Sequence, residues 1–193
     1  MGKFIVIYGS NNLGKSEQLN RLEREYIDAG LPYVRIKYPI YDSPTGEIIN
    51  RALRPDSEGN RLEISDEELQ WLYAENRRQH EPVLEELLER GDVIAEDYVG
   101  TGLAWGLVKG VSRESLDKFN QGLRVPDIEI LLDGERFCGG IEKGHRHEAA
   151  GQEIWERSRR IHQELARELG WEVVNANRSK EAVHQEIMSI LAI

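Results

Sequence analysis

The sequence predicts an α/β protein in which a five-stranded parallel sheet carries helices on both faces, as a three-layer sandwich. Two observations lead to this prediction. Short apolar, β-branched runs alternate with longer segments of helical periodicity along the whole chain, and this alternation is typical of parallel sheets covered on both faces. The chain has 193 residues, which fits one domain with a buried core, so we expect a single domain over residues 1–193.

The first elements are predicted from apolar patterns and turn residues. Residues 4–7 form a β-branched strand, and residues 17–29 place apolar side chains on one stripe of a helix. Gly30 suits the C-cap of that helix. Residues 33–37 are expected to form the second strand, and a turn-rich segment leads to a helix at 47–53.

The later elements follow from the same patterns. Ser65 and the three acids after it suit a helix N-cap and first turn, so we expect a helix through about residue 80 and a separate helix after Pro82. The remaining elements are a strand at 92–96, helices at 102–108 and 113–121, a strand at 127–132, a helix at 152–169, a strand at 171–175 and a helix at 180–191.

The most informative segment is the phosphate loop, residues 9–16, which fits G-x-x-x-x-G-K-[ST] between the first strand and the first helix. Gly9 and Gly14 can adopt backbone angles closed to other residues, so that successive N–H groups point at a phosphate. The helix dipole adds its positive end, Lys15 adds a mobile charge, and the Ser16 hydroxyl can ligate magnesium. A chance match is the alternative, but both flanks are correct. We therefore predict a site for a nucleoside polyphosphate.

Composition argues against several classes of protein. The net charge of −10 disfavours a nucleic-acid partner, which would need a basic face. Cys138 is the only cysteine, so we expect no intrachain disulfide and no thiolate metal site, as suits a reducing cytoplasm. The start runs directly into a strand, and no apolar run approaches the ~20 residues of a membrane span. We therefore expect a cytoplasmic protein without a membrane partner.

Ligands of parallel sheets bind beyond the carboxyl ends of the strands. This rule places five segments around one cleft. They are the phosphate loop and residues 37–42, 96–102, 134–151 and 175–178. Periodicity does not determine the order of the strands in the sheet.

Five further segments, taken in order, carry a family resemblance. They are Lys-Tyr-Pro at 37–39 with the helix at 44–49, Trp-Leu-Tyr-Ala-Glu-Asn-Arg-Arg-Gln at 71–79, Ala-Glu-Asp-Tyr-Val at 95–99 with Leu-Ala-Trp-Gly at 103–106, the strand segment 125–133, and Val-Asn-Ala-Asn-Arg-Ser at 174–179. Over nearly the whole chain these segments resemble the thymidylate kinase family. They match its Arg-x-Pro element, base-binding helix, Asp-Arg-Tyr segment, fourth strand and adenine-side loop.

The resemblance implies a P-loop kinase fold and transfer of the γ-phosphoryl group of ATP to the 5′-phosphate of dTMP, giving dTDP, with Mg²⁺. It also suggests a homodimer. Two alternatives remain. One is a nucleotide-binding regulator that keeps the fold but has lost phosphoryl transfer. The other is a kinase for a related pyrimidine nucleotide or for a nucleoside.

On the donor side, the resemblance and the loop chemistry together give the expected ligands of ATP. These are Gly9, Asn12, Leu13, Gly14, Lys15, Ser16, Glu17 and Arg178. Ser16 and Glu96 are expected to support magnesium. Lys15, Glu96 and Arg146 are the expected catalytic residues, with Arg146 reaching the transferring phosphates from a short mobile lid at about 134–151. The alternative for the lid is a disordered polar loop.

On the acceptor side, the expected ligands are Asn11, Lys37, Tyr73, Arg77, Asp97, Tyr98 and Gly102. Tyr73 and Arg77 lie four residues apart and therefore share a helix face. There the ring can stack on a pyrimidine while the guanidinium donates to a base carbonyl. The alternative is a core tyrosine beside a surface ion pair. Lys37 matches the family arginine at the acceptor phosphate, with a solvated strand-end lysine as the alternative.

Three departures from the family bear on the acceptor. Asn11 stands where the family has an acid, Glu96-Asp97 where it has Asp-Arg, and residues 100–102 where it has Asp-Ser-Ser. Asp97 would repel a phosphate dianion placed there, so either another cation serves or the acceptor sits differently. The candidates are Lys37, Arg54 and Arg136.

Overall fold

A computed structural model describes residues 1–137 and 151–192. The five strands in these ranges are β1 (Phe4–Tyr8), β2 (Tyr33–Lys37), β3 (Asp92–Glu96), β4 (Ile128–Asp133) and β5 (Glu172–Asn175). They form one sheet in the order β2-β3-β1-β4-β5, and every neighbouring pair is parallel. The predicted five-stranded parallel sheet is confirmed, and the structure supplies the strand order that periodicity left open.

The helices of the described ranges lie between and after these strands. They are α1 (Lys15–Asp28), α2 (Pro44–Leu53), α3 (Asp66–Arg90), α4 (Val99–Val108), α5 (Arg113–Asn120), α6 (Gly151–Leu169) and α7 (Lys180–Leu191). No helix in the described part of the chain is long and apolar enough to cross a membrane.

The division of α3 into two helices was a wrong prediction. One helix of 25 residues continues through Pro82. The proline is exposed, so its ring lies outside the packed core. Leu72 before the proline and Leu84 after it are both buried, and this packing on both sides keeps the helix continuous.

Alternate side chains of β1 enter two separate cores, which makes the sandwich three layers thick. Phe4 and Val6 pack in a cluster with residues of α3, α4, α5 and α6. Ile5 and Ile7 pack on the other face in a cluster with residues of α1 and α7. A smaller apolar cluster joins α2 to α3. It positions the end of α2 near the carboxyl ends of the strands.

Candidate active site

A cavity of about 450 Å³ opens at the carboxyl ends of β1, β2 and β3. Most residues predicted to bind ATP, magnesium or the acceptor line it. These are Asn11, Asn12, Leu13, Gly14, Lys15, Ser16, Glu17, Lys37, Tyr73, Arg77, Glu96, Asp97, Tyr98 and Gly102. The fold therefore brings the two predicted halves of the site, which are distant in sequence, into one space.

The phosphate loop has the backbone geometry that its glycines allow. Gly9 has φ 147° and Gly14 has φ 83°, both in the region that favours glycine. A Cβ at Gly9 would lie only 2.7 Å from the carbonyl oxygen of Leu132 in β4. The Lys15 ammonium is 7% exposed and donates to the carbonyl oxygen of Gly9 over 2.6 Å. The lysine thus lies inside the loop, at the opening of α1.

Ser16 and Glu96 form a pair of hard oxygen ligands. The Ser16 hydroxyl donates to Glu96 Oε2 over 3.1 Å, and Lys37 Nζ donates to Oε1 over 2.9 Å. Burial acts to raise the pKa of Glu96, but the charge and hydrogen bond of Lys37 and the charge of Lys15 outweigh it and hold this pKa below its usual value. The carboxylate is therefore ionised at neutral pH.

This donor set fits magnesium, which prefers oxygen ligands and commonly takes one or two carboxylates together with substrate phosphates. Within residues 1–137 and 151–192, no group of three His, Cys, Asp or Glu side chains could hold a metal. The protein alone thus offers a partial oxygen site beside the phosphate loop, which suits a metal that arrives with a nucleotide.

Asp97, where the resemblance led us to expect an arginine, is held by contacts within the chain. It adopts φ 62°, its Oδ1 accepts from the Thr101 hydroxyl over 2.8 Å, and the Lys15 ammonium lies 3.7 Å away. Burial, together with the charge of Glu96, raises the pKa of Asp97 although Lys15 opposes the shift. The acid therefore contacts the phosphate loop lysine instead of providing a cation.

The same cavity is lined by the predicted base-reading pair. Tyr73 and Arg77 both line it from α3. The Arg77 guanidinium lies 5.7 Å from the ring centroid of Tyr98 and donates from Nη1 to Asn120 Oδ1 over 2.8 Å. A Cβ at Gly102 would lie 2.6 Å from Arg77 Nη2. An aromatic ring and a buried guanidinium thus face the same space as the phosphate loop.

Comparison with known families agrees with this geometry. The model of the thymidylate kinase family matches residues 7–187. The chain belongs to the thymidylate kinase family. It is therefore a nucleoside-monophosphate kinase, and the predicted family, enzyme class and P-loop kinase fold are confirmed.

Relatives of this thymidylate kinase family member span nearly the whole chain. Thymidylate kinase of Dictyostelium discoideum is 28% identical over 98% of the chain and 84% of its own length. The enzyme of Homo sapiens is 26% identical over 96% of the chain and 88% of its own length. A solved structure of thymidylate kinase from Candida albicans superposes with a TM-score of 0.81 at 22% identity, covering 99% of this chain and 91% of that one. The last similarity establishes the fold.

Other side chains of this family member line the cavity without having been predicted as ligands. They are Tyr38, Pro39, Tyr41, Leu53, Arg54, Thr101, Trp105 and Phe137, of which Arg54 was a candidate cation. The strand-end rule would have found Tyr41 and Thr101, because both lie in segments that follow a strand. Leu53 and Trp105 lie within helices, where no such rule applies.

Two predicted residues fall outside the cavity walls, and a third lies outside the described residues. Gly9 shapes the loop from behind, as its contact with β4 shows. Arg178 follows β5, pairs with Glu186 and does not line the cavity, so its contact with the adenine side stays a prediction. Arg146 lies outside the described residues, as do the other residues of the predicted lid from 138 to 150.

The chain on both sides of that stretch contacts the phosphate loop. The backbone N–H of Phe137 donates to the carbonyl oxygen of Asn12 over 3.0 Å. The indole N–H of Trp155, on α6, donates to the carbonyl oxygen of Asn11 over 3.0 Å. Described residues on both sides of this stretch therefore contact the loop that is expected to bind ATP.

Proposed function

We propose that this protein transfers the γ-phosphoryl group of ATP to dTMP, giving dTDP and ADP. Membership of the thymidylate kinase family supports this assignment. The observation that carries it for this chain is a single cavity that is lined by both the phosphate loop and the Tyr73–Arg77 pair. An oxygen of the acceptor 5′-phosphate attacks the γ-phosphorus, and the bond to the β,γ-bridging oxygen breaks as ADP leaves with its electron pair.

The donor half of the cavity supplies charge and oriented backbone. The N–H groups of the phosphate loop and the N-terminus of α1 would bind the β-phosphate. Lys15 would exchange its contact with the Gly9 carbonyl for the β- and γ-phosphate oxygens. Ser16 and Glu96 would hold magnesium, which neutralises the charge on the β- and γ-phosphates when bound.

The acceptor half reads the base. Tyr73 would stack on the pyrimidine, and Arg77 would donate to a carbonyl oxygen of the base. Because Arg77 is buried, a base without that acceptor would leave the guanidinium without its hydrogen bond to the base. This difference favours thymine over bases that present a donor at that position.

Arg54 is the cation that we assign to the acceptor phosphate. Lys37 lines the cavity, but its ammonium lies 2.9 Å from Glu96 Oε1. Arg54 lines the same cavity, donates to the Tyr41 hydroxyl over 3.0 Å and lies 5.1 Å from the Tyr41 ring centroid. A guanidinium offers a phosphate two parallel hydrogen bonds, which a lysine cannot do. Arg136, the third candidate, does not line this cavity.

The location and the assembly of the protein are further parts of the proposal. We assign it to the cytoplasm, where its single cysteine suits reducing conditions. We also assign it a homodimer, on the family resemblance alone. Light scattering coupled to size-exclusion chromatography measures the mass directly, and a mass near the 22.2 kDa of one chain would contradict the dimer.

A coupled assay of ADP release with a panel of acceptors tests the reaction. We expect turnover with ATP, magnesium and dTMP, and none with thymidine or without an acceptor. Turnover with thymidine but not with dTMP would indicate a nucleoside kinase instead. ATP binding by calorimetry without acceptor-dependent turnover would indicate a regulator that has lost phosphoryl transfer.

A further inference from the structure

Arg77 is a buried cation. Among residues 1–137 and 151–192, no carboxylate forms a salt bridge with it. Its side chain is 4% exposed, and burial lowers its pKa. Its guanidinium donates a hydrogen bond from Nη1 to Asn120 Oδ1 over 2.8 Å. Among the described residues, its Nε has no hydrogen-bond partner. Since a buried charge needs hydrogen bonds, the hydrogen bond to Asn120 is important for how the guanidinium is held.

The amide of Asn120 is itself fixed in one orientation. Its Nδ2 donates to the carbonyl oxygen of Leu116, one turn earlier in α5, over 2.7 Å. An amide whose nitrogen is committed to a carbonyl must present its oxygen on the other side. That oxygen faces Arg77, so the acceptor is aimed before any ligand enters the cavity.

The end of α5 that carries Asn120 is also attached to α3. Arg78, the neighbour of Arg77, donates from Nη2 to the carbonyl oxygen of Phe119 over 2.8 Å and from Nη1 to that of Gln121 over 3.2 Å. These two carbonyls flank Asn120 in the chain. Two adjacent arginines of α3 thus have different contacts with α5. Arg78 donates to the backbone on both sides of Asn120, and Arg77 donates to the Asn120 side chain.

The opposite side of the guanidinium is bounded by α4 and the residue before it. A Cβ at Gly102 would lie 2.6 Å from Arg77 Nη2, and the Tyr98 ring centroid lies 5.7 Å from the guanidinium carbon. Arg77 is therefore confined between Gly102, Tyr98 and Asn120. The direction left to its donors is the cavity that it lines.

We infer that Asn120 is a positioning residue that orients Arg77 toward the base of the acceptor nucleotide and so sets the selectivity for that base. The inference rests on the proposed function, in which Arg77 reads a base carbonyl. An amide is suited to this task because it accepts a hydrogen bond without neutralising the guanidinium. A carboxylate in its place would form an ion pair and weaken the attraction of Arg77 for a ligand acceptor.

Steady-state kinetics of Asn120→Ala test the inference. We expect the KM for dTMP to rise about ten-fold, because a hydrogen bond to a buried charge is lost. The kcat and the KM for ATP should change less than about two-fold, since neither the phosphate loop nor the magnesium ligands touch Asn120. Gln121→Ala is the matched control, because its exposed side chain is adjacent in sequence and only its backbone contacts Arg78.

A double-mutant cycle separates positioning from a general structural effect. Arg77→Ala alone should raise the KM for dTMP, and adding Asn120→Ala to it should change that KM no further, because the residue through which Asn120 acts is gone. Asn120→Asp provides a second variant that nearly preserves the size of the side chain. Its carboxylate would form an ion pair with Arg77 and weaken the attraction of Arg77 for a base carbonyl, so it should also raise the KM for dTMP. It keeps the inference testable if Asn120→Ala does not fold.

Each outcome has a defined meaning. If the wild-type protein turns over dTMP but Asn120→Ala has a normal KM, or raises it equally with and without Arg77, the positioning inference alone is overturned. The same holds if Gln121→Ala has as large an effect. If the wild-type protein turns over no nucleoside monophosphate, the proposed function and this inference fail together.

Discussion

Ser16 at the start of α1 donates its hydroxyl hydrogen to Glu96 at the end of β3, over 3.1 Å and across 80 positions of sequence. The sheet makes this contact inevitable, because β3 pairs directly with β1, which leads into the phosphate loop. Lys37 at the end of the next strand, β2, reaches the same carboxylate. Three neighbouring strands thus lead into the residues that are expected to contact magnesium and phosphate in the cavity.

Lys15→Ala should reduce kcat by about 10³-fold or more, because the transferring phosphates lose a preorganised positive charge. The acceptor-dependent release of ADP measures the loss, and the melting temperature shows whether the fold persists. Lys118→Ala removes an exposed lysine of α5 and serves as the control. A variant at Lys15 with normal turnover would exclude this residue from the reaction.

Glu96→Gln should weaken the dependence on magnesium and reduce kcat by about 10-fold or more. It should also change the stability profile. A carboxylate whose pKa is lower in the folded protein stabilises the fold above its unfolded-state pKa, and this stabilisation is lost as the pH falls through the folded-state value. The wild-type protein should therefore melt at a higher temperature than the variant at pH 7, and the difference should shrink below about pH 4.5, the ordinary value for this group. A constant difference would contradict the assignment.

Arg54→Ala should raise the KM for dTMP by about 10-fold or more and leave the KM for ATP nearly unchanged, because a guanidinium contact with the acceptor phosphate is lost. Arg54→Lys should restore part of the affinity, as a point charge replaces the planar group. Arg51→Ala, at an exposed arginine of α2 three residues before Arg54, is the matched control. Equal effects on both substrates would place Arg54 outside the acceptor site.

Asp97→Asn should raise the melting temperature at pH 8 and leave it nearly unchanged below pH 3.8, the ordinary pKa of this group. A partly buried acid with a raised pKa destabilises the fold once it is ionised. The stability of the folded protein therefore falls as the pH rises through the folded-state pKa of Asp97. Asparagine also accepts the φ of 62° found here. Asp28→Asn, at an exposed acid of α1, controls for net charge. A lower melting temperature at pH 8 would mean that the contact with Lys15 outweighs the burial.

Local patterns were sufficient for the parts of the site that depend on adjacent residues. The phosphate loop could be predicted because two glycines, a lysine and a serine act within one turn of chain. Tyr73 and Arg77 could be paired because helical geometry places positions i and i+4 on one face. Asn120 could not be found in this way, since its contact with Arg77 crosses 43 positions and depends on how α5 packs against α3.

The continuity of α3 shows the same limit. Proline argues against a helix interior on local grounds, yet Pro82 is tolerated because its side of the helix faces water while Leu72 and Leu84 are buried on the other. Tertiary packing outweighed the local preference there. The contacts of Asp97, one of the departures expected from the resemblance, likewise became known only from the structure. The structure places this acid beside Lys15 and Thr101.

The sequence by itself determined the alternation of strands and helices, the phosphate loop and the family, because each depends on short-range periodicity or on spacing within a segment. Only the tertiary structure decided the strand order and the partners of Glu96 and Asp97. The physical reason is that charges and hydrogen bonds act over a few ångströms in space, and separation along the chain does not report that distance.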